Sequence, residues 1–184
     1  MRSRSLLRSA CAAIAVALVA TGPLAADPAK LAAGDPFPTV DAESVTGTHV
    51  ALPVDTHGES FVVVFGFSQR AGEAAARWSH ALYAALPPAV AVYAVADLSR
   101  VPGLFRGFAV SGIRREASPA TPQHRDHVLL LLRANDWSKI VPSGSDDDAV
   151  IVAVDRTGAV ADIERRAYSD VAANEVAKTV TNRI

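Results

Sequence analysis

Cysteine is nearly absent from the 184 residues, with Cys11 as the sole example. Beyond it, nothing can form a disulfide, ligate a metal through thiolate or attack as a nucleophilic thiol. Packing alone must stabilise whatever folds downstream. The chain also has no large excess of one charge: its formal net charge is −1 at pH 7, which removes the basis for a general affinity for polyanions, so nucleic acid is not an expected partner. No Gly-x-Ser-x-Gly elbow is present to display a catalytic serine. The longest apolar run near the start is about a dozen residues, short of the roughly 20 a spanning helix needs, so no stable membrane anchor is expected.

That run, residues 9–20, follows Arg2, Arg4 and Arg8 and precedes Thr21, Gly22 and Pro23. The basic, apolar and polar order is that of a secretory signal peptide. Residues 1–26 are read as that signal, cut after Ala25 or Ala26, in keeping with a periplasmic or secreted bacterial protein. Cys11 leaves with it. Residues 27–184 then form a single domain, long enough to bury a core. Half of the full chain is hydrophobic, which argues against disorder.

Four short apolar runs, residues 61–67, 89–96, 128–132 and 149–154, read as strands buried on both faces. Between the first two, Ala74, Trp78, Ala81, Leu82 and Ala85 recur at helical spacing over residues 72–86, while Glu73, Arg77 and His80 share the other face. Pro87 and Pro88 end that helix. A second helix is expected from Val101 and Pro102, with Leu104, Phe105 and Phe108 as its buried stripe. A short turn around residues 135–140 packs Trp137 inward. Asp155-Arg156-Thr157-Gly158 reads as a hairpin turn, and Ser169-Asp170 caps a last helix whose Ala172, Val176 and Val180 face the core. Residues 36–40 and 48–52 read as two edge strands joined through Gly47.

This order, with Gly34-Asp35-Pro36-Phe37-Pro38 near the start and AVIVAVDRTG at residues 149–158, resembles the thioredoxin-like superfamily in its peroxiredoxin and TlpA branch. Within it, residues 96–103 and Ser143-Gly144-Ser145 are similar to the YtfJ-type periplasmic proteins, which are cysteine-free and of unassigned activity. The resemblance implies an α/β fold: a thioredoxin-like three-layer sandwich, its central mixed sheet extended by an N-terminal β pair and closed by a C-terminal hairpin and helix. It also implies a redox motif, which this chain lacks. Counting from Phe65 puts Arg70 and Glu73 where two active-site cysteines would stand. Asp146-Asp147-Asp148-Ala149 occupies the place of the usual cis-proline.

Several candidate sites follow. Ser68, Gln69 and Arg70 open a helix whose free amides favour an anion; the plain alternative is a solvated cap with Arg70 paired to Glu73 or Asp147. Asp147 and Asp148 continue that degenerate turn. His57, His80, His124 and His127 are candidate metal ligands, but exposed loop positions suit them better, and no metal or cofactor is expected. The Asp146–148 run lacks the alternation of a calcium loop. Arg106, Arg114 and Arg115 with Phe105 and Phe108 form a candidate docking surface, and residues 116–126 a candidate recognition loop. The leading expectation is a non-redox accessory that binds a periplasmic protein or peptide, with thiol oxidoreductase and peroxidase activities excluded. The alternative is a small-ligand or anion binder, or an enzyme, that uses the former thiol cleft.

Overall fold

In a computed structural model the protein is described over residues 30–117, 122–133, 137–142 and 147–184. The proposed signal, Asp146 and the Ser143-Gly144-Ser145 segment lie outside these residues. Seven strands form one mixed sheet in the order β2-β1-β5-β4-β3-β6-β7. They are β1 (Val40–Ser44), β2 (His49–Leu52), β3 (Phe61–Gly66), β4 (Ala91–Asp97), β5 (Val128–Leu131), β6 (Val150–Val154) and β7 (Val160–Arg165). The parallel trio β3, β4 and β5 is flanked by antiparallel β6 and β1.

Every residue of β3 and of β6 is buried. Their Val and Phe side chains alternate between two faces and fill both, which explains the unbroken apolar runs. One face carries α1 (Gln69–Ala85) and α5 (Asp170–Arg183), packed over Val62, Val64 and Ile151 through Trp78, Leu82, Val176 and Val180. Each large apolar side chain fully buried there contributes roughly 1.5–3 kcal/mol. The same face, beyond β4, carries α2 (Gly103–Ala117), whose Ala109, Val110 and Ile113 lie against Leu130 and Leu98. The opposite face holds an aromatic cluster of Phe37, Phe61, Phe65, Tyr93 and Trp137. Among the described residues there are also two short α-helices, α3 (Pro122–Asp126) and the one-turn α4 (Trp137–Ile140), and a 3-10 turn at Val54–Thr56. Trp137 on α4 lies 5.1 Å from Phe65 and 5.5 Å from Phe37.

The Gly34-Asp35-Pro36-Phe37 stretch is no free edge strand. Its backbone pairs with the hairpin through Gly34 N–H to Val160 O (2.8 Å), Val160 N–H to Asp35 O (2.8 Å) and Phe37 N–H to Gly158 O (2.8 Å). The strand expected there forms later, as β1, and lies inside the sheet, leaving β2 and β7 as its edges. The hairpin turn holds Gly158 at φ +80°, and the Asp155 carboxylate accepts from the Thr157 amide at 2.8 Å.

Three expectations about helices are corrected. The first helix starts at Gln69, three residues earlier than the apolar pattern suggests, and its Ala85 is exposed. Leu104, Phe105 and Phe108 are not a buried stripe: they are 88%, 61% and 84% exposed. Finally, residues 116–126 are not a continuous loop, since α2 runs to Ala117 and α3 spans Pro122–Asp126.

Candidate functional site

The registers Phe65↔Val95, Phe65↔Val150 and Asp97↔Leu131 bring the carboxyl ends of β3, β4 and β5 to one pole, together with the start of β6. In open α/β sheets this is the pole at which ligands and chemistry gather. The β3 to α1 turn stands at its centre. Ser68, extended at φ −137° and ψ 173°, is the cap of α1, and its Oγ accepts the Ala71 amide at 3.1 Å. Gly72 N–H donates to Ser68 O at 2.8 Å. A serine at this position satisfies an amide that the helix itself leaves unpaired.

Arg70 projects from the second position of α1, and its Nη1 lies 3.0 Å from Asp147 Oδ2. Of the two partners considered for Arg70, the structure selects Asp147. Glu73 is exposed one turn further along and does not join the pair. Asp148 is half-buried just before β6, and Gln69 is exposed. Because α1 begins behind Ser68, Arg70 falls in its first turn and Glu73 beyond it. The residues that make the capping bond are Ser68 and Ala71. Counting from the strand's aromatic lands two positions later.

The Arg70–Asp147 pair is open to solvent, with side chains 77% and 56% exposed. Exposed pairs of this kind are worth about 0–1 kcal/mol. Two shallow clefts formed by described residues lie at the opposite pole. One is lined by Glu59, Pro87, Arg156 and Ile184, the other by Pro53, Thr56, Asp155 and Gly158. Among the described residues, no group of three or more His, Cys, Asp or Glu side chains is placed to hold a metal.

The docking candidates divide. Phe105 and Phe108 face solvent, whereas Arg106 turns inward and donates through Nη2 to Val101 O at 3.1 Å and Ser99 O at 3.4 Å. Arg114 Nη2 meets Glu43 Oε1 at 3.4 Å, and Arg115 is exposed.

His124 and His127 are not exposed loop residues; both are half-buried around α3. The His124 ring lies edge-on to Tyr83 at 3.5 Å between centroids, and the His127 ring is 4.6 Å from Tyr93. Sequence reasoning misses this cluster because its contacts join helix α1 and strand β4 to a turn. Burial, and then the charge of His124, hold His127 below its ordinary pKa of 6.5, against opposing contributions from Asp126 and a hydrogen bond with the Val92 backbone. Burial, and then Asp55, push the Tyr93 hydroxyl up, so it faces His127 as a neutral phenol.

A depressed histidine makes stability depend on pH. Above about pH 6.5 the ring is neutral in folded and unfolded chains alike, and the stability is fully present. As the pH falls, the unfolded chain takes up the proton first, and stability is lost until the pH passes below the folded value. His127→Gln therefore flattens the loss of melting temperature between neutral pH and about pH 5 relative to the parent chain. Parallel curves for the two proteins would remove His127 as the cause.

This mixed sheet, with helices packed on it and a capped turn at the end of its central strand, is a thioredoxin-like fold. No protein-family model matches the chain, and no curated protein matches it. Solved structures do. A thioredoxin-family thiol:disulfide interchange protein from Chlorobium tepidum superposes with TM-score 0.53 at 13% identity, over 82% of this chain and 98% of that one. A thiol:disulfide interchange protein from a Bacteroides species gives 0.54 at 20% identity, over 82% and 91%. A secreted disulfide oxidoreductase of Mycobacterium tuberculosis gives 0.52 at 17% identity, over 78% and 95%. At these identities the likeness is one of fold, and residues 30–184 of this chain contain no cysteine.

Proposed function

We propose that the chain is exported, cleaved after Ala25 or Ala26, and serves as a non-redox thioredoxin-like protein. In this reading it is an assembly accessory akin to the YtfJ-type proteins, and its former thiol turn is the contact surface for another protein or peptide. The arrangement of that turn carries the reading. Ser68 caps α1, and Arg70 bridges to Asp147 across the surface between α1 and β6. Because both side chains are solvated and the pair is weak, Arg70 can exchange Asp147 for a partner's carboxylate at little cost.

The alternative of a small-ligand or anion site, or an enzyme, has less support. Such a site needs convergent polar groups in an enclosed cleft, yet Glu73 stands apart and Arg70 already holds a carboxylate. Export is supported by the basic and apolar order of residues 1–26, and a secreted protein is among those of the same fold.

A photocrosslinking amino acid at Gln69, carried by the chain in its native compartment, tests the surface. The expected result is one discrete adduct that Arg70→Ala abolishes, with stability within about 0.5 kcal/mol of the parent because the site is exposed. No adduct, or an adduct indifferent to Arg70, overturns the reading. Loss of the adduct in millimolar inorganic phosphate supports the anion alternative instead.

A further inference from the structure

α2 is turned inside out relative to its apolar content. None of its residues is fully buried, and Ala109, Val110 and Ile113 make its packed stripe. At 100° per residue, Leu104, Phe108, Ser111 and Arg115 align along the opposite face, flanked by Phe105 and Gly112. This outer face is apolar in its first half and cationic at its far end, about 17 Å away.

Charge on this segment is one-sided. Residues 98–115 contain Arg100, Arg106, Arg114 and Arg115 and no carboxylate, in a chain whose other residues carry more Asp and Glu than Lys and Arg. Arg106 is spent on backbone carbonyls and Arg114 on Glu43. Arg115 is exposed in line with Leu104 and Phe108, whereas Arg100, just before the helix, donates at 2.7 Å to Ser138 of α4, the helix whose Trp137 packs on the opposite face of the sheet. Glu116, on the flank, is the nearest acid along the helix.

The geometry points to an anionic lipid surface as the occupant of this face: we propose that α2 docks the domain reversibly on a membrane. Two phenylalanines and a leucine offer roughly 400–600 Å², below the ~800 Å² per partner of a standard protein interface. The side chains also stand clear of the surface instead of lining a groove. A rigid protein partner would need preformed pockets to receive them. An interfacial lipid layer accepts protruding Leu and Phe side chains and supplies a phosphate for Arg115. So few apolar groups give a reversible contact, distinct from an anchor. The inference is independent of the proposed role of the thiol turn, which lies on other residues.

The test uses the full chain with Cys11→Ser, so that one introduced cysteine carries an environment-sensitive dye. Labels are placed at Phe108→Cys on α2 or at Lys178→Cys on α5, which is also exposed. Vesicles of phosphatidylglycerol and phosphatidylcholine are expected to blue-shift the dye at 108 and leave the dye at 178 unchanged. Arg115→Glu then weakens the response at least fivefold, and Leu104→Ser weakens it about tenfold, each with an unchanged melting temperature. No shift at 108, equal shifts at both positions, or an equal shift on pure phosphatidylcholine overturns the proposal. A shift produced by a soluble protein in place of vesicles overturns it as well. Because the N-terminal apolar run is present in every sample, any binding it causes cancels in the comparison.

Discussion

Replacing Gly66 by alanine is expected to cost about 3 kcal/mol or more, a loss at the upper end of overpacking effects. Gly66 ends β3 outside the left-handed region, so conformational freedom does not explain the glycine there. Space does. A Cβ at this position would sit 2.7 Å from both Gly72 Cα and Gly72 N, and 2.9 Å from Ala71 C. All three atoms are backbone of the first turns of α1, and no rotamer change can relieve the clash. The helix start must move, taking the Ser68 cap and Arg70 with it. Gly72→Ala should do the opposite: its added Cβ meets nothing within 4 Å, and alanine in a helix is better than glycine by about 0.5–1 kcal/mol. Urea titration of the two variants checks both signs. For a domain of this size the melting temperature should fall by roughly 6–12 °C in Gly66→Ala and rise by a few degrees in Gly72→Ala. A Gly66→Ala midpoint close to the parent would show that α1 is not seated on the strand end as described.

The Gly66 contact also shows where a linear sequence stops being informative. The FVVVFGF run at residues 61–67 can be read directly, because a strand buried on both faces must be apolar throughout. The Asp155–Gly158 turn and the Ser169 cap are equally legible, since each depends on neighbours a few residues away; the Ser169 Oγ accepts the Ala172 amide at 3.1 Å. By contrast, nothing local reveals that Gly66 touches Gly72. The second helix reads inside out for a related reason. It is apolar on two faces, and hydropathy cannot choose between a Leu104/Phe105/Phe108 stripe and an Ala109/Val110/Ile113 stripe. Leu98 and Leu130 make the choice by offering a surface only to the second.

The site is half legible for the same reason. The sequence offers Asp147 and Glu73 as partners for Arg70, but the choice between them depends on where β6 begins relative to α1. A thiol register can be inferred by counting from Phe65, yet the number of residues between a strand's last aromatic and a helix cap is not set by any periodicity. The hydrogen bond from the Ala71 amide to Ser68 Oγ fixes where the helix starts.

That bond leads to the other large expected effect: Ser68→Cys/Ala71→Cys, made in a Cys11→Ser background, gives residues 30–184, which hold no cysteine, a reactive thiol pair. A sulfur at position 68 takes over the place of the serine Oγ, where the Ala71 amide already points at 3.1 Å. The positive end of the 17-residue α1 lies behind it. Both features favour thiolate over thiol, so the pKa of the thiol introduced at position 68 should fall from the ordinary value of about 8.5 into the range of roughly 3.5–7.5 seen for thiols at helix starts. Cap and third helical positions lie about 5 Å apart by helix geometry, within the ~4.4–6.8 Å between Cα atoms that a disulfide spans. Ala71 is 1% exposed, which leaves the sulfur at position 68 as the attacking one and that at position 71 as the shielded one that resolves the mixed disulfide. Thiolate absorbance against pH measures the first claim, and turnover of a disulfide substrate with dithiothreitol measures the second. The comparison variant is Arg70→Cys/Glu73→Cys, whose side chains start one position past the first free amide and one turn beyond it. It should titrate close to an ordinary thiol and turn over far more slowly. If the ranking reversed, the counting from Phe65 would be right and the cap at Ser68 would not mark the thiol position. If neither pair reacted, the start of α1 would lack the electrostatics that a redox thiol needs.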